Sequence, residues 1–146
     1  MKINIGVLIG ILLLAVLAVA AFLRFSLPAG SVQAFADRSV YELDDMLEVI
    51  VRNDFGREVC FSSCYPYLME RQTQDGSWGE YVYGDCGYED QAADCVPPRG
   101  AKKFRIFLAD AGIGIHRLKL PLCFDCAGES FNPEQAVYSN IFNIQK

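Results

Sequence analysis

The chain has one histidine, His116, and one tryptophan, Trp78. A lone histidine leaves room for at most one Ser-His-Asp or Cys-His arrangement, and no Gly-x-Ser-x-Gly motif accompanies it. His116 alternates with Leu118 and Leu120, which predicts packing at the edge of a core rather than catalysis. Cysteine is absent before Cys60, so no residue beside the N-terminal apolar run can carry a lipoprotein anchor. Basic residues are few: 13 Lys and Arg against 18 Asp and Glu. Setting aside Lys2 and Arg24, 11 basic residues face 18 acidic ones, a net charge of −7 beyond residue 24. That balance is a poor match for nucleic acid or for anionic lipid headgroups. Internal repeats and low-complexity tracts are also missing.

Charge is absent from residues 3–23, where only Asn4 is strongly polar. A helix of that length rises about 30 Å, enough to cross the hydrocarbon core of a bilayer. Residues 1–24 are therefore expected to form a retained signal-anchor, a transmembrane helix with residues 3–23 in the lipid bilayer. Cleavage is the competing reading. Ala18-Val19-Ala20 matches an Ala-x-Ala site, but Ala21, Phe22 and Leu23 carry the apolar run past it. A second match, Ala34-Phe35-Ala36, lies too far from that run. Lys2 and Arg24 nearly balance, so flanking charge gives no orientation.

The cysteines supply the orientation. All six (Cys60, Cys64, Cys86, Cys95, Cys123 and Cys126) follow the apolar segment. An even count in a small exported domain reads as disulfides, with the N-terminus cytoplasmic and the domain outside, at a cell surface or in a periplasm. The pairing stays open among the possible connectivities. The alternative is a zinc site, with Cys60, Cys64, Cys123 and Cys126 offering four thiolates.

Residues 25–38 read as a stalk or a first strand, and residues 39–146 as the domain. Leu47, Val49 and Val51 alternate with Glu48 and Arg52 between turn signals, which favours a strand over a helix at 41–51. Residues 57–62 form another strand candidate, and Pro66 makes the next run an edge strand or delays its start. Asp75-Gly76 marks a hairpin with residues 78–83 returning. Residues 84–94 read as an acidic loop. Phe104, Ile106 and Leu108 alternate with Lys103 and Arg105, and Leu118, Leu120 and Leu122 with Arg117 and Lys119. In the last strand, Tyr138, Phe142 and Ile144 are expected inside, with Ser139, Asn143 and Gln145 outside. About seven short antiparallel strands separated by turns predict an all-β sandwich.

Three clusters carry candidate chemistry. Cys123-Phe124-Asp125-Cys126 has redox-pair spacing, but it follows a strand and lacks the helix start that activates such thiols. Asp85, Glu89, Asp90 and Asp94 are acidic enough for calcium, yet their spacing is not that of an EF-hand loop. Tyr81, Tyr83 and Tyr88 make a possible contact surface for a protein or glycan, since tyrosine is favoured at interfaces.

Over residues 40–144 the order of motifs resembles bacterial immunoglobulin-like domains. The carriers are Tyr41 before a turn, Leu47-x-Val-x-Val51 ending in Asn53, and Leu68-Met-Glu-Arg71 followed by Asp75-Gly76-x-Trp78. Pro97-Pro98-Arg99-Gly100, Gly114-Ile115-His116-Arg117-Leu118 and Tyr138-Ser139-Asn140-x-Phe142-x-Ile144 complete the series. His116 stands where such domains often carry Tyr. The resemblance implies a two-sheet immunoglobulin-like β-sandwich, usually without catalysis, and brings no defined ligand. The expectation is a non-catalytic, membrane-anchored module for adhesion, scaffolding or protein binding, with no cofactor and no catalytic or metal-binding residue. Its alternatives are a protease inhibitor of similar fold and a thiol-disulfide oxidoreductase using Cys123 and Cys126.

Overall fold

A computed structural model describes residues 30–80, 87–108 and 111–146. The expected transmembrane helix over residues 3–23 lies outside them. Eleven strands and no helix occur among the described residues. The smaller sheet has the order β1 (Val32–Ala36), β3 (Met46–Asn53), β8 (Ala101–Phe107), all antiparallel. The larger is built around β9 (Gly114–Phe124). One edge of β9 carries β10 (Gln135–Tyr138) and then β11 (Phe142–Gln145); the other carries β4 (Val59–Ser62) and β5 (Leu68–Gln72). Outside these lie β2 (Val40–Glu42), parallel to β11, then β6 (Trp78–Glu80) on β5 and β7 (Ala92–Val96) on β4.

Alternation produces the sandwich. Leu47, Val49 and Val51 of β3 and Ile106 of β8 point inward against Leu118, Leu120 and Leu122 of β9, so one apolar core joins the two sheets. Each such buried side chain contributes roughly 1.5–3 kcal/mol. Phe61 and Phe104 meet edge-to-face at 5.6 Å, and Tyr41 meets Phe142 at 5.5 Å. The hydroxyl of the buried Tyr41 donates to Asp37 and accepts from the Arg38 backbone N–H. Asn53 is fully buried: its Nδ2 donates to the carbonyls of Arg57, Val96 and Pro97, and its Oδ1 accepts from Phe55 N. Two chain segments, 53–57 and 96–97, converge on that one amide.

The chain forms eleven strands rather than about seven because several lines of chain are interrupted. Between β4 and β5, Pro66 supplies no N–H for a ladder. Between β10 and β11, Ser139 turns inward: Leu118 N donates to Ser139 Oγ, and that hydroxyl donates to Asn140 O. The turn also shifts the phase. Tyr138 faces out at 47% exposure while Ser139 is buried, the reverse of the expected alternation; Phe142 and Ile144 are buried as expected. The sequence predicts a loop over 84–94, but residues 92–94 belong to β7, whose alanines carry little strand signal of their own. The Asp75-Gly76 hairpin forms, with Gly76 at φ +83°. There Thr73, Ser77 and the Ser77 backbone N–H hold the Asp75 carboxyl down to about 2.

Candidate functional site

Cys60 of β4 bonds Cys95 of the neighbouring β7, with Cα atoms 4.0 Å apart. Cys123, near the end of β9, bonds Cys126 in the following turn, with Cα atoms 6.1 Å apart. Cys60 and Cys123 are cross-strand partners, so the two disulfides sit side by side in one buried cluster with Ala92 and Phe131. Cys64 is disulfide-bonded as well, and Cys86 lies outside the described residues. No described cysteine is free. The sulfurs considered for zinc are thus held in S–S bonds. One three-residue group of metal-type ligands occurs among the described residues, Glu58, Cys60 and Cys95, and both of its sulfurs are in a disulfide. In the turn, Asp125 adopts φ +50°, and its carboxylate accepts from Glu58 N at 3.0 Å and Arg57 Nε at 2.7 Å. That pair and the arginine's hydrogen bond hold the Asp125 carboxyl below the ordinary carboxylate range.

The acidic residues do not converge. Glu89 accepts from Ser130, Asp94 pairs with Lys102, and Asp90 accepts from the hydroxyls of Ser62 and Ser63. Asp85 lies outside the described residues. Tyr88 is 65% exposed and donates to Ser63 O, while Tyr81 and Tyr83 are outside the described residues.

His116 is buried and stacks on Phe142 at 5.9 Å. Its Nδ1 lies 2.8 Å from Gly114 O and its Nε2 3.1 Å from Ala111 O. Both ring nitrogens thus face backbone carbonyls, and neither is poised to activate a nucleophile. Burial holds its pKa below the ordinary value, with the Arg71 charge adding to that, against the pull of the two carbonyls.

The densest functional chemistry lies elsewhere, on the outer face of the larger sheet. Arg117 points outward from β9 with its guanidinium 4.2 Å from the Trp78 ring centroid and 4.3 Å from that of Tyr138. Its Nε donates to Glu70 Oε2 at 2.5 Å across the β5–β9 ladder. Glu70 is buried under this stack although it belongs to the outer face. The next residue outward on β9, Lys119, pairs with Glu80. Farther along, Val40, Asn143 and Ile115 form one cross-strand row, with Val40 and Ile115 exposed. In the sequence, Arg117 is marked only by its alternation with Leu118 and Leu120. Its ring partners lie 39 residues earlier and 21 later, on β6 and β10, and only strand register joins them.

No protein-family model matches the chain, and no curated protein matches it. The solved structures similar to the chain include the following two. One is a Pseudomonas fluorescens alkylpurine DNA glycosylase bound to DNA containing an abasic site analog, with 9% identity and a TM-score of 0.39. That match covers 79% of this chain, which spans only 30% of the glycosylase. The other is the CARDB domain of a Pyrococcus furiosus protein in complex with di-metal ions, with 12% identity, a TM-score of 0.38, and coverage of 81% and 90%. At these scores neither likeness bears on the function of this chain.

Proposed function

We propose that this chain is a non-catalytic binding module: an immunoglobulin-like sandwich held outside the cytoplasmic membrane by residues 3–23, contacting a protein partner through the outer face of its larger sheet. One observation carries this reading. Arg117 is clamped between Trp78 and Tyr138 on an open face that also exposes Val40 and Ile115. Trp, Tyr and Arg dominate the energetics of protein interfaces, because each combines large apolar area with a directional polar group. Here the three are pre-positioned, so little side-chain entropy remains to be lost on binding. Domains 1–24, 25–38 and 39–146 then act as anchor, connector or first strand, and recognition module. The disulfide cluster supports the exported location, since such bonds persist in oxidising compartments. The buried Cys123–Cys126 bond at a strand end supports a brace rather than a redox centre.

The test is site-specific photocrosslinking in native membranes, from residue 115 on the proposed face and from residue 107 on the opposite sheet. Ile115 and Phe107 are both exposed, so the comparison is fair. Position 115 should give a defined protein adduct that disappears in Trp78→Ala, with position 107 giving none. Equal adducts from both positions, or an adduct indifferent to Trp78→Ala, would refute the proposed face.

A further inference from the structure

A second polar feature lies on the surface of β5 opposite Glu70 and borders the contact face, with which it shares Glu80. β5 and β6 form a hairpin whose inner surface opens into a cleft of about 470 Å³. Met69, Arg71, Thr73, Gln74, Gly79 and His116 contribute to its lining. Arg71 is the unusual member. The other cations of the described strands, Arg52, Lys102, Lys103, Arg105, Arg117 and Lys119, each have a carboxylate within 4.0 Å. Arg71 has none among the described residues, in a chain with more acids than bases.

Arg71 is exposed, but its guanidinium has a definite backbone neighbour. It lies against the start of β9, its Nε 3.2 Å from the point a Cβ on Gly114 would occupy and its Nη1 3.6 Å from the equivalent point at Gly112. Gly114 has φ +137°, so the position both demands glycine and leaves the guanidinium resting on bare backbone. Other polar groups of the cleft are already engaged. Glu80 pairs with Lys119, the Thr73 hydroxyl bonds Ser77 O, and Gln72 Nε2 donates to Gly76 O. With Glu80 paired to Lys119, no described carboxylate within 4.0 Å compensates the positive charge that Arg71 brings to the cleft.

We propose that this cleft binds a small organic carboxylate through Arg71. The guanidinium fork matches two coplanar carboxylate oxygens. A single cation beside an acidic side chain suits a monoanion better than a phosphate dianion. The cleft volume is within the range of small-molecule sites. Arg71 is the cross-strand partner of His116, so its charge stands beside the cleft floor and adds to the lowering of the His116 pKa that burial dominates.

His116 makes the test clean, because the chain has one imidazole. The full-length protein in detergent micelles is titrated with sodium acetate at constant ionic strength, following the His116 ring resonances and the Gly112 and Gly114 amides. Sodium chloride and inorganic phosphate serve as comparison arms. Acetate should give saturable shifts at all three sites and raise the His116 titration midpoint by offsetting the arginine charge. Arg71→Gln should raise that midpoint without acetate and weaken acetate binding at least about tenfold, the loss of a charge-assisted bidentate pair. Arg71→Lys, which keeps charge and fold but not the fork, should bind several-fold more weakly than the native protein. No saturable shift up to about 100 mM acetate, a concentration beyond ordinary millimolar binding, would overturn the proposal. So would an equal response to chloride, retention of acetate binding in Arg71→Gln, or phosphate binding as tight as acetate.

Discussion

The two sheets solve the same problem differently on their outer faces. On the smaller sheet, Glu48 of β3 faces Lys103 and Arg105 of β8, with the lysine and arginine side chains 62% and 76% exposed. On the larger sheet, Glu70 faces Arg117, whose side chains are only 6% and 25% exposed because Trp78 and Tyr138 cover them. Both are cross-strand acid–base pairs, but the first stays in water and the second is taken partly out of it. The described disulfides with both partners placed also belong to the larger sheet, joining β4 to β7 and closing the turn after β9. One sheet thus keeps its ion pairs in water, beside the exposed Phe35, Met46 and Phe107. The other is stapled covalently and carries an ordered aromatic–guanidinium face. Desolvation falls where binding is proposed, and the staples brace the same sheet at the other end of β9.

The sharpest way to break the contrast is to remove the staples. Cys60→Ser/Cys95→Ser opens a link spanning 35 residues, and the chain-entropy model puts the loss at about 4 kcal/mol. Cys123→Ser/Cys126→Ser opens a link spanning three, for about 2 kcal/mol. Chemical unfolding followed by Trp78 fluorescence measures both, and a reversed order would show that the bonds act through native strain rather than through the unfolded chain.

The ion pairs give the next contrast. Arg117→Met strands a nearly buried carboxylate at Glu70 and should cost roughly 3 kcal/mol, most of it recovered when Glu70→Leu is added. Arg105→Met on the smaller sheet should cost no more than about 0.5 kcal/mol, as exposed pairs do. Equal losses at the two arginines would erase the proposed difference between the faces.

The smallest effect is in pH. The His116 pKa in the fold lies below its ordinary 6.5, so the unfolded chain takes up that proton first as pH falls. Its contribution is therefore complete above pH 6.5 and declines below it, through the depressed folded value. Unfolding free energies measured from about pH 7 to about pH 5, before most carboxylates titrate, should fall in the native protein. In His116→Gln they should be flatter. A fall of the same size in both would assign the pH dependence to other groups.

The all-β character was legible because alternation in β3 and β9 survives in the sequence, and so was the Asp75-Gly76 hairpin, whose chemistry is local. β7 was missed at Ala92 and Ala93, since alanine becomes a strand residue only through the partners that β4 provides. The exchange of Tyr138 and Ser139 was missed because a side-chain hydroxyl replaces a ladder contact and resets the phase. The candidate face was half legible. Tyrosines drew attention to residues 81, 83 and 88, yet the described stack uses Tyr138, Trp78 and Arg117, brought together by register across strands distant in sequence. Arg71 left no sequence signal at all, because its interest lies in having no carboxylate partner among the described residues.

A domain stapled by disulfides outside the cytoplasm is the central premise of the proposed function. The measurement that tests this directly is the intact mass of the protein purified from membranes, alkylated before and after reduction. The prediction is that the six cysteines are alkylated only after reduction, on a chain that retains residues 1–24. Alkylation without reduction would contradict the exported, stapled domain, and a mass lacking the first 20 residues would contradict the anchor.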